Sequence, residues 1–452
     1  MKKLIVLDVV ALTKMHLSDA LVPNISKIFE KGFFAPMIPS FPAVTCSVQA
    51  SMTSGFYPSD HGIISNGFYD RKTKLVSFWE QYGSLVEKPR VWSILKQKNP
   101  NLKTAVLFFQ NSLYIDSDIV ITPKPIHLDN KMVMWCYSKP VGYYEEIVKS
   151  IGKFDLSSYW GPFASLKSSK WIMDAAKHTI KTHHPDLMFV YLPHLDYAGQ
   201  KFGPQSNEFE KSLIELDNLI GDLLEFLDSD DLQDQYDIMI VSEYSFEKVN
   251  KSISPNVILR DEGLLTIRNI EGKEYLDFEH SKAFAMVDHQ IAHIFLKPGI
   301  EEKATKIFKK YDDSISEILD KKAQKNHNIL HRRSGDLILS AQDSSWFNYY
   351  WWKDKERAPD FAFKVDIHRK PGFDPLELFI DVSSKTISQD VSLIKGSHGL
   401  VKTKDENNLP LCGLSILPKE PPELIDVTQI APTILNILGY GNGFPSKPFC
   451  KF

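Results

Sequence analysis

The residues of this chain best placed to do chemistry are Thr45 and a few polar side chains far from it in sequence. Thr45 lies in the stretch Ile38–Ile63, just ahead of a short helical pattern at Ser47–Thr53 and upstream of Tyr57-Pro58 and His61-Gly62. A helix start favours threonine for capping, and the same helix end stabilises an anion brought to that hydroxyl. A threonine hydroxyl is a weak nucleophile until a cation or a base lowers its pKa. A nucleophilic Thr45 therefore requires oxygen and nitrogen ligands from elsewhere in the chain. Asp8 lies near the end of the apolar run Leu4–Val10, Asp196 follows Leu187–Leu192, and Glu243 follows Asp237–Val241. His398 sits in Gly396-Ser397-His398-Gly399, where glycines let backbone come close. Cys46 is a rival nucleophile beside Thr45, though a small buried residue is its simpler role.

The elements around these residues explain why they could meet. Short β-branched runs (Leu4–Val10, Thr104–Phe109, Leu187–Leu192, Asp237–Val241, Ala283–Val287, His293–Leu296) alternate with helical patterns at Asn24–Lys31, Ser47–Thr53, Trp171–Thr182 and Asn207–Leu227. That alternation predicts an α/β fold with a mostly parallel central sheet flanked by helices. In such sheets functional groups gather beyond the carboxyl ends of the strands, where Asp8, Asp196 and Glu243 are expected. From residue 251 to 390 the pattern changes to a hairpin (Leu265–Arg268 with Lys273–Leu276), a charged helix at Glu301–Tyr311 and the aromatic run Trp346–Trp352. This region reads as an inserted cap on a core made of residues 1–250 and 391–452, which closes with a helix at Val427–Leu438.

The chain has 452 residues, 43% of them hydrophobic and 24% charged, as expected of a soluble globular protein. A formal net charge of −4 gives no footprint for a nucleic-acid duplex and no polybasic membrane signal. No apolar run approaches a bilayer span. Cys46, Cys136, Cys412 and Cys450 are scattered without metal spacing, which points to a reduced, cytoplasmic protein.

Taken together, Asp8, the Thr45 to Gly62 segment, the Tyr191–Pro204 segment around Asp196, Ser242-Glu243-Tyr244 and Gly396–Gly399 resemble the type I phosphodiesterase/nucleotide pyrophosphatase family of the alkaline phosphatase superfamily. The likeness runs over the core and includes the helix start Ile425–Thr433. It implies an alkaline-phosphatase-like fold and two divalent metal ions, zinc first, with manganese, iron or magnesium as alternatives. By the same resemblance Thr45 takes the phosphoryl group. Asp8 and Thr45 then share one metal with Glu243 and Tyr244, and Asp196 and His398 share the other with Gln200.

Three of these positions depart from the family pattern: Glu243 replaces an aspartate, and Tyr244 and Gln200 replace histidines. An amide oxygen is a poor zinc ligand, and a phenol binds well only when deprotonated. Nearby histidines offer compensation. His289 follows Asp288 at a strand end, and His194, two residues before Asp196, would face the same side on an extended chain. His368 stands beside Arg369 and Lys370 as a substrate contact, and Gln49 or Lys370 could donate to a phosphoryl oxygen. The expected activity is metal-dependent hydrolysis of small phosphate esters, diester or pyrophosphate, through a phosphothreonine. The alternatives are a phosphomonoesterase, a phosphonate hydrolase or a phosphoryl transferase on the same fold, and a degenerate binder of a phosphorylated ligand.

Overall fold

The structure, a computed structural model, describes residues 3–129, 131–230, 232–381 and 383–451. Its centre is a nine-stranded sheet, whose strands in chain order are β1 (Lys3–Val9), β2 (Phe33–Ile38), β3 (Thr104–Leu107), β4 (Ile119–Pro123), β5 (Cys136–Lys139), β6 (Leu187–Leu192), β7 (Tyr236–Val241), β8 (Leu411–Leu414) and β9 (Ile425–Asp426). They lie side by side in the order β9-β2-β8-β7-β1-β6-β3-β4-β5. The run β7-β1-β6-β3-β4 is parallel, while β8 and β5 enter antiparallel. β1, β6 and β7 are buried along almost their whole length, which is why they read as unbroken apolar runs rather than alternating ones. Five strands of this sheet, β2, β4, β5, β8 and β9, were not among the sequence expectations; they are two to six residues long, and so short an isolated run carries little periodicity.

Register brings the acids together. Asp8 lies opposite Tyr191 on one side and Val241 on the other, so the carboxyl ends of three adjacent parallel strands finish level. The chain leaving β6 turns at Pro193 into a helix, α2 in the order of helices named here (His194–Phe202), whose first turn carries Asp196. The helix holding the candidate nucleophile, α1 (Thr45–Ser54), is wholly buried and ends at Gly55 in the left-handed conformation. Thr45 is its first residue rather than its cap, which is Val44. A long amphipathic helix, α3 (Asn207–Ser229), starts at a Ser206 cap and packs against α2.

Residues 251–390 build a second, antiparallel sheet in the order Ala283–Asp288, Ile291–Leu296, Leu337–Ala341, Ile315–Leu319. Its hydrophobic cluster takes in the aromatic run, with Trp346, Phe347, Tyr349 and Trp351 buried as packing rather than as a stacking platform. The first two strands turn through His289 and Gln290, with His289 at φ 59°. A β-hairpin tip thus brings an imidazole beside His398 and Asp196, beyond the carboxyl ends of the central strands. The smaller hairpin is shifted two residues from expectation, pairing Ile267–Ile270 with Lys273–Leu276. Among the described residues, no helix is long and apolar enough to cross a membrane.

Candidate active site

The first pole of the site is a pair of buried acids beside a hydroxyl. Asp8 and Glu243 have no solvent exposure, and Asp8 Oδ1 and both Glu243 oxygens find no hydrogen-bond partner of ordinary geometry among the described residues. Asp8 Oδ2 accepts from Gln49 Nε2 at 3.0 Å. Thr45 lies next to both Glu243 and Tyr244. Burial pushes the Asp8 carboxyl up to about 7. Burial, then the charge of Asp8, drives Glu243 well above the usual carboxylate range. Two acids without a counter-charge hold a proton between them, and a cation in its place would let both ionise.

The second pole is built around Asp196. Its Oδ1 accepts from the Tyr244 hydroxyl at 3.0 Å and its Oδ2 from Gln200 Nε2 at 2.6 Å, one helical turn on. Burial raises its carboxyl, against the opposing influence of His289. His398 Nε2 lies 3.8 Å from Asp196 Oδ1. The other ring nitrogen of His398 donates to the Ala43 carbonyl at 2.9 Å, so Nε2 carries a lone pair rather than a proton. The Tyr244 ring lies flat on His398, 3.6 Å between centroids and 2° from parallel. His398 reaches this place because its segment packs onto α2 through two glycines. A Cβ on Gly396 would meet the Gly199 carbonyl at 2.2 Å.

His289 completes this side. Its ring is 3.8 Å from that of His398 and stacks on Phe373 at 3.9 Å. Asp288 accepts the Nδ1 proton at 2.7 Å, and Nε2 is buried with no hydrogen-bond partner among the described residues. Burial opposes the charge on Asp288, but the bond to His289, the Ser65 hydroxyl at 2.6 Å and the Asn66 amide at 2.8 Å outweigh it and hold the carboxyl below its usual range. Asn66, which sequence reasoning did not single out, also receives the Cys46 amide on its Oδ1 at 2.9 Å. It ties the start of α1 to the Asp288–His289 pair, a link between segments that no local pattern announces.

Several expected participants stand elsewhere. His194 is on the first turn of a helix, not on extended chain, so a two-residue offset turns it away from Asp196; it meets Glu215 at 3.0 Å instead. Gln49 is spent on Asp8 and on the Gln110 amide, which donates to its Oε1 at 2.6 Å, so it orients an acid rather than a phosphate. Lys370 is buried between Asp374 and Glu377, at 2.8 and 2.6 Å, with nothing left for a substrate. His368 is exposed at the cavity wall. Tyr244 and Gln200 act as donors to Asp196 rather than as ligands in the form seen, and burial together with Asp196 and Glu243 keeps the phenol protonated. The Cys46 thiol is likewise pushed up by burial and does not reach the cavity. His61 receives the Ile63 amide and meets Ser51 Oγ at 2.9 Å, which fixes the loop.

Thr45, Asp196, Tyr244, His289 and His398 all face one cavity of about 690 Å³. Among the described residues no three His, Cys, Asp or Glu side chains are grouped to hold a cation. The donors come as two pairs instead, Asp8 with Glu243 and Asp196 with His398. Each has a neighbour of suitable kind, the Thr45 hydroxyl for the first and His289 Nε2 for the second. Bare lone pairs on Asp8, Glu243 and His289 are costly in a buried site and are what a divalent cation satisfies, so the residues fit such an ion in donor chemistry.

Comparison with known proteins adds an independent line. A sequence model described as type I phosphodiesterase / nucleotide pyrophosphatase matches residues 4–374. An uncharacterized pyrophosphatase/phosphodiesterase of Schizosaccharomyces pombe is 24% identical over 231 residues, 51% of this chain and 41% of that protein. An ectonucleotide pyrophosphatase/phosphodiesterase of Caenorhabditis elegans is 22% identical over 355 residues, 76% of this chain and 39% of its own length. The chain thus spans less than half the length of these relatives. Among solved structures, human ectonucleotide pyrophosphatase/phosphodiesterase 5 aligns with a TM-score of 0.63 at 13% identity, over 99% of this chain and 96% of that one. Phosphonoacetate hydrolase from Sinorhizobium meliloti, solved with phosphonoformate, aligns at 0.61 and 13% identity over 95% and 94%. These structures share the α/β, alkaline-phosphatase-like fold with its mostly parallel sheet.

Proposed function

The chain belongs to the type I phosphodiesterase / nucleotide pyrophosphatase family, and we propose on that premise that it hydrolyses small phosphate esters, diesters or pyrophosphates, through Thr45. The observation that carries this reading is the position of Thr45: first residue of a buried helix, next to Glu243, and facing the cavity shared by Asp196, His289 and His398. Two divalent cations belong to the same reading. Asp8, Glu243 and Thr45 would hold one, and Asp196, His398 and His289 the other. Oxygen donors alone at the first position suit manganese or magnesium, while imidazoles at the second suit zinc. Bound there, such ions would lower the hydroxyl pKa and neutralise charge on the phosphoryl oxygens.

The protein's own part in the reaction follows from its groups. Thr45 Oγ1 attacks phosphorus opposite the departing ester oxygen, forming a phosphothreonine and releasing the leaving group. The Glu243 carboxylate beside it takes the threonine proton. Water then attacks the same phosphorus from the vacated side and gives one proton to solvent, the Thr45–phosphorus bond breaks, and Oγ1 takes back the proton held by Glu243. The start of α1 favours the anion throughout, and Asn66 fixes its entry by holding the Cys46 amide.

A small phosphorylated substrate is supported by two neighbours of like fold, solved with AMP and with phosphonoformate. A reducing, cytoplasmic setting is supported by four buried, unpaired cysteines. Replacing Thr45 by Ala is expected to lower turnover of bis-p-nitrophenyl phosphate by about a thousandfold or more, with an unchanged thermal melt. Wild-type turnover in that variant would remove Thr45 from the chemistry.

A further inference from the structure

The loop that follows β3, residues 108–113, is held more firmly than a connection between strands requires. Phe108 has left-handed backbone at φ 63°, which a bulky side chain rarely allows, and Asn111 follows at φ 50°. Buried Arg90 secures this path, its Nη1 donating to the Gln110 and Asn111 carbonyls at 3.2 and 2.9 Å. Asn111 Nδ2 donates to the Glu80 carbonyl at 2.7 Å, and the Gln110 amide donates to Gln49 Oε1 at 2.6 Å. Gln49 stands one helical turn after Thr45 and donates to Asp8, so the loop is fixed against the first pole of the site. Backbone strain over-determined in this way is found where a ligand is clamped.

What the loop presents is the side chain of Gln110, and its direction is set. Gln81 Nε2 donates to the Trp79 carbonyl at 3.1 Å and also to Gln110 Oε1. A carbonyl only accepts, which identifies the nitrogen of Gln81 and hence the oxygen of Gln110. Gln110 Nε2 is therefore turned the other way, beside the Tyr159 hydroxyl. Burial keeps that phenol protonated, and it lies within reach of the Glu243 charge. With Gln110 donating to Tyr159, the phenol proton and the second Nε2 proton are left for a ligand. Gln81, Gln110 and Tyr159 all line the cavity onto which Thr45 faces.

These donors carry no charge, and the cations of the chain are placed elsewhere. Lys370 is committed to Asp374 and Glu377, and Arg90 to the loop backbone. Among the described residues that line the cavity there is no arginine, and its lysines, Lys364 and Lys385, stand exposed. A dianionic phosphate loses more hydration on entry than a monoanion and needs cationic donors to offset it. We propose that Gln110 and Tyr159 form a substrate-binding pair that donates to one phosphoryl oxygen, and that this uncharged pair favours a monoanionic diester over a dianionic monoester. The pair rests on the Thr45 reading above and gives that site its means of discrimination.

Rates on bis-p-nitrophenyl phosphate and p-nitrophenyl phosphate, measured at pH 8 with metal-loaded protein, test it. Tyr159→Phe is expected to lower kcat/KM on the diester roughly 10- to 100-fold with an unchanged thermal melt. Gln110→Lys is expected to raise the monoester-to-diester ratio of kcat/KM about tenfold. Wild-type diester turnover in Tyr159→Phe overturns the pair, and so does a wild-type ratio in folded Gln110→Lys protein. Should Gln110→Lys not fold, Tyr159→Phe decides alone. Either overturning result, obtained with turnover that still requires Thr45, leaves the hydrolase reading standing. Absence of Thr45-dependent turnover on both esters overturns the two together.

Discussion

Asp288 accepts the Nδ1 proton of His289 at 2.7 Å, and that single bond decides which nitrogen of the ring is free. The acid is itself held by Ser65 and by the Asn66 main-chain and side-chain amides, so the imidazole is fixed at the tip of a hairpin whose strands belong to the second sheet. A carboxylate behind a histidine in this way fixes the tautomer and the orientation of the ring.

Asp288→Asn removes the charge that orients His289 and is expected to weaken uptake of zinc or manganese about 10- to 100-fold. Calorimetric titration of the metal into EDTA-treated protein measures this directly. An unchanged affinity would show that His289 is no ligand.

Glu243→Gln separates stability from function. The acid is buried beside Asp8 with both oxygens bare, so its removal is expected to stabilise the metal-free protein by roughly 1–3 kcal/mol at pH 8. The same change should abolish cation uptake at the first position. A lower melting temperature in EDTA would contradict the unpaired-acid picture.

Lys370→Met acts only on the fold. Lys370 is buried and donates to Asp374, Glu377 and the Lys364 carbonyl, and Glu377 also receives the Trp160 indole at 2.6 Å. Removing the cation leaves two buried acids facing each other, at an expected cost of about 3–5 kcal/mol. Chemical denaturation reads the loss, and a change under about 1 kcal/mol would mean the acids reach solvent.

Acid should act on two buried histidines before the surface carboxylates titrate. Burial lowers His16 to about 4 and His293 to about 4, from 6.5. Below 6.5 the unfolded chain takes up protons that His16 and His293 refuse in the folded chain, so the contribution of these two falls between pH 6.5 and 4 and is level above that window. Asp8 and Glu243, held protonated by burial, contribute in the opposite sense. Each histidine contributes up to about 3 kcal/mol of this loss. Urea melts from pH 7.5 to 4.5 measure the slope, which should flatten in His16→Gln. An unaltered slope in that variant would leave His16 out of the effect.

The legible part of this molecule was the part written in continuous apolar runs. β1, β6 and β7 showed themselves because strands buried on both faces need unbroken hydrophobic sequence, and Asp8 stood out because a charge in such a run needs a reason. Short strands such as Leu411–Leu414 did not, since their place is set by pairing with β2 and β7 rather than by their own residues. His194 shows the opposite error: spacing read on an extended chain fails when Pro193 begins a helix at that point.

The sequence by itself determined the parallel core, the candidate nucleophile and the acids at the strand ends, because these follow from local pattern and from the order of motifs along the chain. Tertiary structure alone decided what each polar side chain faces. It committed Gln49 to Asp8 and Lys370 to two acids, turned Tyr244 and Gln200 into donors for Asp196, and delivered His289 from a hairpin of the second sheet. The physical reason is that a hydrogen bond or a bare lone pair depends on direction within an ångström or two, and direction at a meeting of distant segments is fixed by packing.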